Sequence, residues 1–165
     1  MTVWADLAAD EQSTLLDAIH GASVVVSVAS PGRKEETTSE GFEAAAYILD
    51  SRDAQVANRL ISSILVMFDE GVREGRTFPD YLKLVAEPDA HDRSIAALRA
   101  AAAIVDAKVD ADEALGFKRW LLGIATATAE AGKEDQGFLG RGGVYVNDKE
   151  RAALDEISAA LGLEG

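Results

Sequence analysis

Residues 95–105 read IAALRAAAAIV, a run of small and apolar residues interrupted by one arginine. Alanine and leucine are strong helix formers, and Ile95, Leu98 and Ala102 recur at the spacing of one helical face. The part from Ala100 to Val105 is apolar around most of a helical circumference, which is typical of a central helix that its neighbours approach closely. We therefore predict a buried core helix here and assign it no catalytic role.

The same helical character extends along most of the chain. Thirty residues are alanine, and they stand among Leu, Glu, Lys and Arg with few β-branched alternations. Pro31 and Pro88 fall between helical stretches, Pro79 suits a first helical turn, and Asp53 and Asp89 stand where N-caps belong. The sequence therefore predicts an all-α fold, a single-domain bundle of about seven helices over residues 1–165, with helices at 10–29, 39–50, 53–74, 79–87, 89–106, 111–131 and 148–161.

Charge and composition narrow the classes of partner. The 165 residues carry 29 acidic and 16 basic side chains, a net charge of −13, which argues against nucleic acid and anionic membranes and leaves cations and basic proteins. Without cysteine there is no disulfide framework, thiolate zinc site or cysteine nucleophile. Asp6 and Asp10 stand where a signal peptide would be basic and apolar, so we expect a cytoplasmic protein without a membrane span. Homo-oligomerisation stays open.

A helix–acidic loop–helix unit recurs three times along the chain. In each copy a residue suited to helix capping is followed three positions later by glutamate, a spacing that predicts a capping box. Capping alone would explain these six residues, since each cap is worth about 1 kcal/mol. The three pairs are Thr37 with Glu40, Asp110 with Glu113, and Asn147 with Glu150.

Two other acids do not suit a capping role. Asp106 and Glu130 lie near the carboxyl ends of predicted helices, where the negative end of the helix dipole disfavours a carboxylate by about 0.3–1 kcal/mol. Water or a nearby lysine, Lys108 or Lys133, would compensate this charge. The alternative is a bound cation shared with carboxylates of the following helix.

Residues 106–113, DAKVDADE, resemble the acidic loop of the TerB-like tellurite-resistance proteins. The likeness continues at Val146 to Glu150, and the family's plan can be laid over residues 20–162, with a Gly-rich inserted loop at about 132–146. The resemblance implies a small cytoplasmic stress-associated protein with an acidic patch for metal or a partner, and no established catalytic reaction.

If a metal binds, carboxylates are its ligands. Hard oxygen donors favour calcium, magnesium or manganese, and no organic cofactor is expected. His20 and His91 look isolated, and an EF-hand is excluded because the loop counted from Asp106 lacks the required glycine and final glutamate. The ligands would converge from separate helices. The predicted set is Asp106, Asp110 and Glu113 with Glu130 or Glu150, and Asp112 and Asp148 are weaker candidates.

Three function classes follow from these residues. The leading hypothesis is a non-enzymatic TerB-like binding protein whose acidic cleft takes a divalent cation or a basic protein surface. The alternative is a scaffold bundle that binds protein through its apolar helix faces and its inserted loop, with Phe138, Leu139 and Tyr145 as anchors and no metal site. A hydrolase that uses paired carboxylates is the third, and the shortage of aromatic side chains disfavours it.

Overall fold

The computed structural model describes residues 2–54, 57–131 and 146–164 of the chain. Within those ranges the chain forms seven α-helices and no strand, which confirms the predicted all-α bundle. None of these helices is long and apolar enough to cross a bilayer. After a short 3-10 turn at Trp4–Asp6 the helices are α1 (Ala9–Ala29), α2 (Lys34–Ala54), α3 (Arg59–Arg73), α4 (Tyr81–Ala86), α5 (Ala90–Lys108), α6 (Ala111–Glu130) and α7 (Asp148–Ala160).

Predicted and observed helix ends agree within two residues except around α2 and α3, because α2 begins at Lys34, five residues before the predicted start, and α3 begins at Arg59. The prediction that Asp53 caps the third helix is wrong, because Asp53 lies inside α2. Asn58 caps α3 instead, and its Oδ1 accepts a hydrogen bond from the backbone N–H of Ile61 at 3.1 Å. This carboxamide satisfies one of the free backbone donors of the first turn.

The centre of the bundle is α1 rather than α5. All residues from Gly21 to Ser27 are buried, because α1 packs against α2, α4, α5, α6 and α7. The prediction of a central helix around residues 100–105 is wrong in this respect, since Ala100 and Ala103 are exposed. Alanine on every side of α5 permitted close packing but did not require it.

Small residues allow α1 and α5 to approach closely. A Cβ placed on Gly21 would lie 3.0 Å from the Cβ of Ser94, so the absence of a side chain at this position sets the separation of the two helices. The core continues to α6, where Phe117 and Trp120 are fully buried with ring centroids 6.0 Å apart. Together these helices form the frame on which the shorter elements lie.

The predicted Gly-rich loop lies outside the described residues up to position 145. This also applies to Phe138, Leu139 and Tyr145, the anchors considered for that loop. Val146, the first residue described after it, packs partly buried against the core. The role of the loop as an anchor therefore stays a prediction.

Candidate functional site

The three predicted capping boxes have different outcomes. The box of Asn147 and Glu150 at the start of α7 is confirmed. Oδ1 of Asn147 accepts from the backbone N–H of Glu150 at 2.9 Å, and Oε2 of Glu150 accepts from the backbone N–H of Asn147 at 3.0 Å. The box of Thr37 and Glu40 is wrong, because α2 already begins at Lys34. A capping pattern read from sequence cannot show whether the helix has started earlier.

The box at the start of α6 is wrong for another reason. Asp110 occupies the N-cap position, but its side chain makes no capping hydrogen bond. Oε1 of Glu113 accepts instead from the backbone N–H of Arg59 at 3.2 Å, and the carbonyl oxygen of Glu113 accepts from Nδ2 of Asn58 at 2.9 Å. Glu113 therefore helps to cap α3 from across the bundle.

Asp106 lies exposed at the end of α5 and is compensated by a lysine. Its Oδ1 lies 2.8 Å from Nζ of Lys118, which comes from α6 and is buried along most of its length. The lysines predicted from the sequence were Lys108 and Lys133. Lys108 pairs with Glu11 instead, and Lys133 lies outside the described residues. The fold of α6 back along α5 brings Lys118 to this position, and sequence proximity gave no sign of it.

The remaining predicted ligands occupy separate places. Asp110 and Glu130 are exposed at the two ends of α6. Glu150 is buried in the N-terminal cap of α7. Its capping partner Asn147 also donates through Nδ2 to Oγ of Ser30 at 3.0 Å. Asp112 and Asp148 are exposed in first helical turns. Across the described ranges no group of three or more His, Asp or Glu side chains is arranged to hold a metal ion.

One predicted ligand carries an unexplained atom. Oε2 of Glu113 is buried without a hydrogen-bond partner in the part of the chain that the structure describes. A buried acceptor without a partner costs about 1–3 kcal/mol. A proton, a water molecule or a cation would each offset that cost.

His91 is not isolated, contrary to the sequence-based expectation. Nδ1 lies 3.0 Å from Oδ1 of Asp92, and Nε2 lies 2.9 Å from Oε2 of Glu156 on α7. The hydrogen bonds to Asp92 and then Glu156 raise the pKa of His91 above its usual value. The group ties α5 to α7 on the surface.

A different surface stands out by its exposed apolar side chains. In the described residues five large hydrophobic side chains are more than half exposed, from 51% at Phe78 to 71% at Phe42. All of them fall in one section of the chain, on α2, on α3 or just after α3. We call them the α2–α3 face, which consists of Phe42, Leu49, Val66, Val72 and Phe78.

An ion pair joins the parts of α2 and α3 that carry Leu49, Val66 and Val72. Arg52 of α2 and Asp69 of α3 join at 2.6 Å. Leu49 lies one turn before Arg52, and Val66 and Val72 lie one turn before and one turn after Asp69. Residues three positions apart are neighbours on a helix, so apolar side chains of both helices flank the ion pair.

The outer and inner ends of the face follow by the same geometry. Phe42 lies two turns before Leu49 and therefore on the same side of α2. Phe78 packs against Phe68 with ring centroids 5.8 Å apart, and Phe68 lies one turn before Val72 on α3. At about 100° of rotation per residue, Val66 and Phe68 lie about 160° apart around α3, so Phe78 extends the apolar surface on the Val72 side of α3 and not on the side of Val66.

The inner side of α2 is unusually polar. Apart from Ala44, the fully buried residues described on this helix are Thr37, Glu40 and Ser51. Ser27 donates to Oε2 of Glu40 at 2.5 Å, and the indole N–H of Trp120 donates to Ser51 at 3.0 Å. Hydrogen bonds and the partly buried Tyr47 and Ile48 hold the inner side of the helix, while Phe42 and Leu49 face outward.

The surroundings of the face are acidic. Glu43, Asp50 and Glu70 are exposed beside it and have no ion pair within the described ranges. Arg52 is already neutralised by Asp69, and Arg73 is the nearby basic side chain on α3 without a counterion there. With a net charge of −13 on the whole chain, the surface favours a basic partner.

Sequence reasoning did not single out this face. The seven-residue spacing of Phe42 and Leu49 was a usable signal, but periodicity indicates a common side of the helix and not whether that side is covered. Comparisons with known proteins add no further indication, because no family model, no curated protein and no solved structure matches the chain. The resemblance to TerB-like proteins therefore stays a prediction.

Proposed function

We propose that this chain is a non-enzymatic, cytoplasmic binding module that captures a basic protein partner on the α2–α3 face. The observation that carries the proposal is that, within the described residues, all five large hydrophobic side chains that are more than half exposed lie on α2, on α3 or just after α3. Contiguous exposed apolar patches mark interaction sites, whereas isolated exposed hydrophobic residues need no explanation.

Magnitudes decide how much of the face a partner must cover. A fully buried leucine, valine or phenylalanine side chain stabilises a complex by about 1.5–3 kcal/mol. Association costs roughly 4–15 kcal/mol in lost translational and rotational freedom. One anchor is therefore insufficient, and a stable complex must cover apolar side chains of both α2 and α3.

The partner's chemistry follows from the shape and charge of the face. Phe42 and Leu49 lie about 10 Å apart along α2, which matches two turns of an opposing helix. An amphipathic helix with apolar residues at i, i+3 or i+4, and i+7 would cover them. Lysine and arginine at its flanks would meet Glu43, Asp50 and Glu70 and accelerate the encounter.

A synthetic helical peptide with leucine on one side and lysine on the other tests the proposal. Its affinity is measured by fluorescence anisotropy against the wild-type chain, Leu49→Ser, and Ala103→Ser as a control at an exposed position on α5. We expect Leu49→Ser to weaken binding by about tenfold or more, as for a buried anchor. Ala103→Ser should bind as the wild type does.

Two peptide controls separate recognition from general charge attraction. A shuffled peptide of the same composition, which scatters the leucines, should bind weakly, and a version with glutamate in place of lysine should not bind. Equal affinity for ordered and shuffled peptides would overturn the proposal. So would a concentration-dependent dimer in sedimentation that Leu49→Ser dissociates, because the face would then hold a second copy of the chain.

A divalent cation is the second partner that the TerB-like resemblance implies, together with a role in tellurite resistance or another stress response. The buried, unpartnered Oε2 of Glu113 supports it, because a cation would satisfy that atom. The pairing of Asp106 with Lys118 removes one of the charges that the prediction relied on. The basic protein partner is therefore the function that the geometry favours.

A further inference from the structure

A pocket of about 120 Å³ opens on the side of the bundle where α1, α4 and α5 meet. Its apolar walls include Val24 from α1, Leu84 from α4 and Ala97 from α5. An apolar cavity of roughly 150 Å³ holds benzene, so this space suits a ligand of similar or slightly smaller size. None of the predicted acidic ligands and none of the α2–α3 face lines it.

Two polar side chains reach this pocket without protein partners. Ser94 is 8% exposed, and within the described residues its hydroxyl group makes no hydrogen bond. The ring of His20 likewise has no hydrogen-bond partner there, although its backbone carbonyl accepts from Ser23. Both polar groups open onto the pocket instead of being sealed in the core, so a ligand there can hydrogen-bond to them.

The protonation of His20 sets what it can accept. Burial lowers the pKa of His20, and the nearby charge of Asp17 only partly opposes this effect. The imidazole is therefore neutral near pH 7, and one ring nitrogen is a hydrogen-bond acceptor. A neutral imidazole also does not repel a cation.

The charged lining of the pocket favours a cation. Asp17 and Glu87 are acidic and Arg93 is the basic residue among the lining side chains. Arg93 lies 3.7 Å from Glu87 and also 3.7 Å from Asp89, so its charge is shared between two carboxylates. Asp17 has no ion pair in the described part of the chain and is the carboxylate left for a ligand.

We propose that this pocket binds a primary ammonium group on a short apolar chain, with the ammonium at Asp17, His20 and Ser94. An ammonium has three donors, which match a carboxylate, a ring nitrogen and a hydroxyl oxygen. The alkyl chain lies against Val24 and Leu84. The same chemistry is offered by a free alkylamine and by the lysine side chain of a polypeptide.

The probe is n-butylamine, with n-butanol and butyrate as neutral and anionic controls of the same length. Binding is followed by chemical-shift changes of backbone amides in the intact chain. We expect saturable shifts at residues 17–24 and 90–97 with n-butylamine, and none with butyrate. Asp17→Asn should raise the dissociation constant about tenfold, whereas the control Asp155→Asn, at an exposed position on α7 outside the pocket, should not change it.

A second arm identifies the source of the ammonium. Nα-acetyllysine N-methylamide carries the same ammonium group on a peptide backbone. If it binds, the result supports the pocket as a site for a lysine side chain. If n-butylamine binds and the lysine analogue does not, the result supports a free amine as the ligand. Equal affinities for n-butylamine and n-butanol would overturn the proposal. An unchanged dissociation constant in Asp17→Asn, or shifts scattered away from the pocket, would also overturn it.

Discussion

Asn58 offers the most direct test of how the acidic loop is used. Its side chain caps α3 through Ile61 and donates to the carbonyl oxygen of Glu113. Asn58→Ala removes a cap worth about 1 kcal/mol and an interhelical hydrogen bond worth about 1 kcal/mol. We expect the free energy of unfolding to fall by about 2 kcal/mol, which in a chain of this size lowers the melting temperature by roughly 4–8 °C.

Urea unfolding measures this loss, provided that the m-value is unchanged. The variant Asn58→Ser separates the contribution of the N-cap from that of the hydrogen bond to Glu113. Serine keeps an N-cap acceptor but is too short to reach Glu113, so it should recover about half of the stability. A loss below about 0.5 kcal/mol in Asn58→Ala would refute the capping argument. Equal losses in the alanine and serine variants would show that the cap itself contributes nothing.

Two further predictions concern titration and metal binding. Hydrogen bonds to Asp92 and Glu156 raise the pKa of His91, so the protonated imidazole stabilises the folded state. This stabilisation is fully present below about pH 6.5 and is lost as the pH rises through the raised pKa of His91. Glu156→Gln should therefore destabilise the fold at about pH 5.5, by less than about 1 kcal/mol for such an exposed pair, and have no effect at about pH 9; urea curves showing equal losses at both would contradict this. Calcium, magnesium or manganese at a hundredfold excess over its dissociation constant should stabilise the fold by about 2.7 kcal/mol, and Glu113→Gln should abolish the thermal shift; no shift with any of the three would count against the cation.

Local patterns were sufficient for most helices. The predicted ranges 10–29, 89–106, 111–131 and 148–161 agree within two residues with α1, α5, α6 and α7. Of these, α5, α6 and α7 begin after the N-cap residues Asp89, Asp110 and Asn147, a signal that acts over a few neighbouring residues. The boundary between α2 and α3 failed because Asp53 and Asn58 are both good N-cap residues, and only the packed structure selects between them.

The candidate sites were much less predictable. The sequence drew attention to Asp106 and Glu113, but their partners Lys118 and Arg59 come from other helices. The exposure of Phe42 and Leu49 depends on what covers α2, which no local pattern contains. The pocket at Ser94 likewise requires three helices to meet.

By itself the sequence determined the helical class, most helix ends, the acidic surface and the absence of cysteine chemistry, because each depends on composition or on interactions over a few neighbouring residues. Only the tertiary structure decided that α1 is central, that Lys118 neutralises Asp106, and that Phe42 and Leu49 of α2 face outward. Burial and charge pairing depend on contacts between residues far apart in the chain, and helical periodicity specifies a side of a helix without specifying its neighbour.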